Sequence, residues 1–181
     1  MKKFMNIIVM TAMCTTLLSA VDLSKAFEQP DATKIIKKDL LTAAVDYKMP
    51  RGCITSNPDA IARGSFYFHN LNGKKAKGKL PKGVSKTIKV GGKKKPKQYG
   101  NCVACHNIEG AKGGGSVGPD LTGYKSIFVD SKVRDMKFVF QKIADARIDN
   151  PDTTMTINLT TKLFNVREIC DITSYIVSEK K

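Results

Sequence analysis

The sequence predicts a mostly α protein: one folded domain carrying an N-terminal helical extension and a basic insert. Three observations predict it. Apolar residues recur at helical spacing in four separate stretches. No convincing strand alternation is present. The segment 74–97 holds eleven Lys and no acidic residue, which sets it apart from the rest. A chain of 181 residues suits one domain with appendages.

The elements follow in order. Lys2 and Lys3 precede a run from Phe4 to Val21 that is apolar or small at most positions, and Ser24-Lys25-Ala26 follows. This reads as a secretory signal peptide over 1–26, cut after Ala26. A retained membrane anchor is the rival, weakened by the hydroxyl residues in the run. Lipidation at Cys14 is disfavoured because Met13 is too large for the residue before a lipidated Cys. No later stretch could cross a membrane, so stable insertion after cleavage is not expected.

Residues 27–57 form an extension. Within it, 31–47 predict a helix through Ile35, Ile36, Leu40, Leu41, Ala44 and Val45, capped by Asp31. Met49-Pro50-Arg51-Gly52 breaks it. The domain over 58–181 opens with a helix from Asn57-Pro58, a cap and then a first-turn proline, to about Phe68. A helix over 135–147 places Met136, Val139, Phe140 and Ile143 on one face. The last helix starts at Asn165 with Glu168 as capping-box partner.

The formal charge is +15 over the whole chain. After cleavage the chain would carry 28 basic and 15 acidic residues, and the insert 74–97 supplies 11 of the resulting +13. The basic character therefore belongs to one segment, not to the fold. Such a run repels itself and predicts a loop or loose hairpin. It is either a docking or steering element for an acidic partner or a solvated insert. Nucleic-acid binding is disfavoured, because the run lacks interleaved aromatics.

The chemistry concentrates in Cys102-Val103-Ala104-Cys105-His106. Two thiols two residues apart on a turn reach the two vinyl groups of one haem, and the next His points at its iron. The pattern predicts one covalently bound haem c. A dithiol redox pair needs no His and usually follows a strand. A zinc ribbon needs a second close-spaced ligand pair, which is lacking. Nucleophilic Cys–His catalysis would leave two of the three residues redundant.

For the second axial position the candidates are Met49, His69, Met136 and Met155. Met155 is favoured: it sits in the irregular segment Asn150–Met155, where a loop can aim a thioether at the distal face. Met136 is expected to be packing on its helix, and His69 a surface or packing residue. In Gly118-Pro119-Asp120-Leu121, the Pro119 carbonyl could accept from the second imidazole nitrogen of His106, and Leu121 could pack on the ring. A simple turn is the alternative. Cys53 and Cys170 remain. They could pair with each other, or stay as two separate thiols, one buried and one free.

These residues resemble class I c-type cytochromes. The resemblance rests on Gly100 to His106, Gly118-Pro119-Asp120-Leu121, Asn150–Met155 and the terminal helix with Asp171-Ile172-Thr173-Ser174-Tyr175-Ile176. More narrowly the chain resembles the SoxX family, monohaem subunits of SoxAX complexes, through Ala62-Arg63-Gly64, Gly100–His106 and Asn150–Met155. Thr156 stands where the family pattern usually has Pro. The resemblance implies a cytochrome c-like fold and a periplasmic electron-transfer subunit of an L-cysteine S-thiosulfotransferase. It implies a SoxA-like partner, a SoxYZ-like carrier bearing the acceptor cysteine, and a small cytochrome as electron acceptor. No catalytic residue is implied in this chain. A stand-alone electron carrier and a haem-based sensing module are the alternatives.

Overall fold

The computed structural model describes residues 42–180. The signal-peptide reading over 1–26, Cys14 and most of the helix expected over 31–47 lie outside them.

Three α-helices carry the core. Helix α1 spans Pro58–His69; the Asn57 side chain caps it by accepting from the Asp59 N–H at 2.8 Å. Helix α2 spans Met136–Ala144, capped by Asp135. Helix α3 spans Val166–Ile176 and opens with the expected capping box between Asn165 and Glu168. The faces turned inward bury Phe68, Phe140, Ile169 and Ile172 almost completely, together with Phe164 and Ile108 from the intervening loops. Each such side chain contributes roughly 1.5–3 kcal/mol through removal from water. Tyr67, Tyr99 and Phe164 add a tilted aromatic cluster with ring centroids 5.6 Å apart.

α1 and α3 cross very closely at Gly64. A Cβ there would lie 1.9 Å from the Asp171 carbonyl oxygen, so only glycine admits the crossing. The Cys53–Cys170 disulfide then ties the chain before α1 to α3 across 117 residues of sequence. Of the two possibilities for these thiols, the structure selects pairing.

Residues 42–47 are not helical, contrary to the expectation for the C-terminal part of 31–47. They carry no regular structure and are held by side chains of α2 and of the turn after it. The Tyr47 N–H donates to Gln141 Oε1 at 2.8 Å, Gln141 Nε2 donates to the Val45 carbonyl at 2.9 Å, and Arg147 Nη1 donates to the Thr42 carbonyl at 2.7 Å. Side chains thus satisfy backbone groups that a helix would have paired internally. α2 also stops earlier than the expected 147. Asp145 is extended (φ −157°, ψ 99°) and caps a separate 3-10 turn, Ala146–Ile148. Met136, expected on the packed face, is the first residue of α2 and is 40% exposed.

The basic insert is a hairpin on a short neck. Strands β1 (Thr87–Val90) and β2 (Lys93–Pro96) pair antiparallel, with every residue exposed. Gly91 and Gly92 form the turn, both at positive φ, as a tight two-residue hairpin loop requires. At the neck, Gly73 N–H donates to the Lys97 carbonyl, Lys97 N–H to the Lys86 carbonyl and Tyr99 N–H to the Leu71 carbonyl. Lys97 pairs with the half of Glu168 left over from capping α3. A short π-helix, Lys125–Asp130, was not foreshadowed by the sequence pattern. No helix among the described residues is long and apolar enough to cross a membrane.

Candidate functional site

The motif Cys102–His106 sits on a 3-10 turn, Cys102–Ala104, that leaves the neck of the insert. Asn101 enters it in the left-handed region, φ 46°. The Cys102 carbonyl accepts two backbone N–H groups, from Cys105 at 3.0 Å and His106 at 2.9 Å. This tight turn keeps both cysteines and His106 within one short backbone loop. Cys102 is half-buried and Cys105 exposed, and neither is in a disulfide. Burial pushes the Cys102 thiol up to about 12.

The glycine-rich stretch after the motif folds back against it. Gly115 N–H donates to the Val103 carbonyl at 2.9 Å, and Gly118 N–H to the Cys105 carbonyl at 2.8 Å. A Cβ on Gly118 would lie 2.3 Å from Cε1 of the His106 ring. Glycine is therefore required where the loop lies flat on the imidazole. The sequence reading named Gly118 as the start of Gly118-Pro119-Asp120-Leu121 but gave it no role against the imidazole.

His106 Nδ1 lies 2.8 Å from the Pro119 carbonyl oxygen. A carbonyl can only accept, so Nδ1 carries the hydrogen and donates. The other ring nitrogen, Nε2, then presents its lone pair, and it has no hydrogen-bond partner among the described residues. The Pro119 carbonyl thus occupies the place expected of it. Asn107 was missed by the sequence reading; its Nδ2 donates to the Asp120 carboxylate and to Thr122, and its carbonyl accepts from Leu121 N–H at 2.9 Å. The Thr122 hydrogen bonds and Asn107 hold the Asp120 carboxyl below its ordinary value. Leu121 is half-buried and packs against the core.

Met155 lies in a bend after Pro151, half-buried and packed against the core, with its N–H donating to Thr153 Oγ1 at 3.1 Å. His69 is committed elsewhere, to the Tyr175 hydroxyl at 2.9 Å. Met49 packs against the core cluster. Among the described residues, no three His, Cys, Asp or Glu side chains converge as a self-sufficient metal cage.

Residues 92–180 match the family model for cytochrome c. These residues form a cytochrome c domain. A comparison with curated proteins returned no match. The cytochrome c domain carries covalently bound haem c and serves as a haem-based electron carrier. The residues present fit that group. Two unpaired thiols stand on one turn while the remaining described pair, Cys53 and Cys170, is closed. The adjacent imidazole is held in one tautomer by Pro119 and flattened against Gly118. The match begins at Gly92, inside the hairpin turn, so α1 lies before it; α1 nevertheless shares the core of the cytochrome c domain through Phe66, Tyr67 and Phe68.

Proposed function

We propose that the chain is the electron-accepting monohaem subunit of a SoxAX-type complex, exported to the periplasm by residues 1–26. In this reading Cys102 and Cys105 would hold the haem through thioether bonds, His106 Nε2 and the Met155 thioether would be the iron's protein donors, and Leu121 would pack beside the group. The haem, when bound, supplies one-electron redox chemistry. The chain's own residues set its environment: the Pro119 carbonyl orients the imidazole and increases its basicity, and a soft thioether favours the ferrous state and a higher potential.

One observation carries the assignment of roles. Cys53 and Cys170 are bonded to each other and each is 7% exposed. With Cys102 and Cys105 given to haem, no cysteine after residue 26 remains to handle sulfur. The cysteine that handles thiosulfate would belong to a SoxA-like subunit, and the acceptor cysteine to a SoxYZ-like carrier. This chain would take the electrons released when thiosulfate is joined to that acceptor, and pass them to a small cytochrome.

The test is reconstitution with a SoxA-like cytochrome and a carrier protein bearing a reduced acceptor cysteine. Adding thiosulfate should reduce the haem of this chain only when both proteins are present. Failure to form a complex, or no reduction in the complete mixture, would leave the stand-alone carrier that the cytochrome c match by itself supports.

A further inference from the structure

Eleven lysines and no acidic residue occupy 74–97. Lys97 pairs with Glu168; the other ten make no ion pair among the described residues. The hairpin they form gains nothing from packing, since all eight strand residues are exposed. Lys89 stands directly opposite Lys94, a like-charge pair that disfavours the hairpin. A two-stranded hairpin is marginal even without that repulsion. Ile88 and Val90, 49% and 48% exposed, share a face with Lys93 and Lys95.

A second observation is independent of the lysines. A groove of about 530 Å³ runs beside the Cys53–Cys170 disulfide and is lined by Arg51, Arg63 and Arg167. Its acidic residue, Asp171, is occupied by Arg63 through both oxygens. Arg51 and Arg167 have no ion-pair partner among the described residues. The insert reaches this groove: a Cβ on Gly83 would lie 3.7 Å from Arg63 Cδ and 4.0 Å from Arg167 Nη2. The basic insert and the arginine groove therefore adjoin at Gly83 and together offer a basic surface.

We propose that this surface docks an acidic polypeptide of a partner protein, with the arginines gripping carboxylates and the hairpin extending the contact. Guanidinium groups pair with carboxylates in a bidentate fork, and the mixed apolar and basic face of the hairpin suits a protein surface. A single-stranded nucleic acid would need exposed aromatic platforms, but Tyr67 and Tyr99 beside the neck are buried. The inference goes beyond the SoxAX reading and stands or falls separately, because it concerns binding and not electron flow.

The experiment uses the haem-loaded protein and a fluorescent peptide of about 20 residues, alternating Glu and Ser, followed by anisotropy at low and physiological salt. The wild type should bind, and more weakly as salt rises. Replacing Lys89, Lys93, Lys94 and Lys95 by Gln should weaken binding about tenfold, and Arg51→Ala with Arg167→Ala about threefold or more. Four exposed lysines elsewhere, Lys112, Lys132, Lys137 and Lys162, changed to Gln, should leave it within about twofold. Equal weakening by both four-lysine variants would reduce the effect to net charge and overturn the proposal. No effect of the arginine changes would overturn the combined surface. Binding to phosphatidylglycerol vesicles without binding to the peptide would overturn the choice of partner.

Discussion

Arg63 holds Asp171 in a two-pronged grip, Nε to Oδ2 at 2.7 Å and Nη2 to Oδ1 at 2.8 Å, from the residue next to Gly64. Gly64 admits the carbonyl of the same Asp171 against the backbone of α1. Two consecutive residues thus fix one crossing, the first by charge and the second by having no side chain. The pair is nearly dry, at 11% and 6% side-chain exposure. Arg63 and Gly64 thus have a packing explanation in the crossing itself.

Arg63→Ala should destabilise by about 3–5 kcal/mol, because it strands the Asp171 carboxylate in a dry site. Arg63→Lys should restore only part of this, since an ammonium cannot reproduce the fork. Gly64→Ala should be at least as damaging, because the colliding atom is backbone. Guanidinium unfolding of the haem-loaded protein measures all three; a loss below about 1 kcal/mol for Arg63→Ala would show the grip to be a surface pair in effect.

The Cys53–Cys170 bond should be worth roughly 2–4 kcal/mol, as it closes a long loop in the unfolded chain. Cys53→Ser with Cys170→Ser should lower the unfolding midpoint while leaving the haem spectrum unchanged. Thiol titration of unfolded, unreduced, haem-loaded protein should find no free thiol among these four cysteines.

Asp145 is a hub for acid sensitivity. It is fully buried, and hydrogen bonds from Arg147 and Thr160 and from the Val45 N–H hold its carboxyl well below the usual range. A depressed folded pKa contributes stability that is present above the unfolded value, about 3.9, and is lost as pH falls toward the folded one. Asp145→Asn should therefore be less stable at pH 7 and show a flatter loss of stability between about pH 4 and 2. Unfolding midpoints across that range are the measurement; an unchanged slope would assign the acid sensitivity to other carboxylates.

Met155→Ala should abolish the weak sulfur-to-iron charge-transfer band of the oxidised protein, and Met136→Ala should not. The structure strengthens the contrast, since Met136 is exposed at the start of α2 and Met155 packs against the core. Persistence of the band in Met155→Ala would exclude Met155 as the ligand.

Gly118→Ala should displace the His106 ring, because the added Cβ would meet it at 2.3 Å. The expected outcome is a lower yield of haem-loaded protein or a shifted reduction potential. Loading and potential both equal to wild type would show that the loop yields instead of the imidazole.

Local signals made much of this legible. Asn57-Pro58 and the Asn165/Glu168 box mark the starts of α1 and α3, since capping depends on residues two or three apart. Cys102, Cys105, His106 and Pro119 were readable because the chemistry fixes their spacing. Long-range partners were not. Nothing in the local sequence says that Gln141 and Arg147 will take the backbone groups of residues 42–47, and helical periodicity misled there. The same holds for Met136, where periodicity names a face but not how far along the helix that face is covered. Gly118 was legible as part of its motif, but its role against the His106 ring shows only in the distance between them.

The closed pair Cys53–Cys170 constrains how the protein must be matured. Four thiols can pair completely in three ways, and only one of these contains Cys53–Cys170; that one also joins Cys102 to Cys105. Under oxidising conditions the neighbours Cys102 and Cys105 would meet most readily, and a bond between them would block haem attachment. The native bridge is shielded at 7% exposure on both sides, whereas Cys105 is open to solvent. A mild reductant can therefore reopen the attachment pair and spare the brace, so that oxidation of the scaffold and loading of the cofactor need not compete.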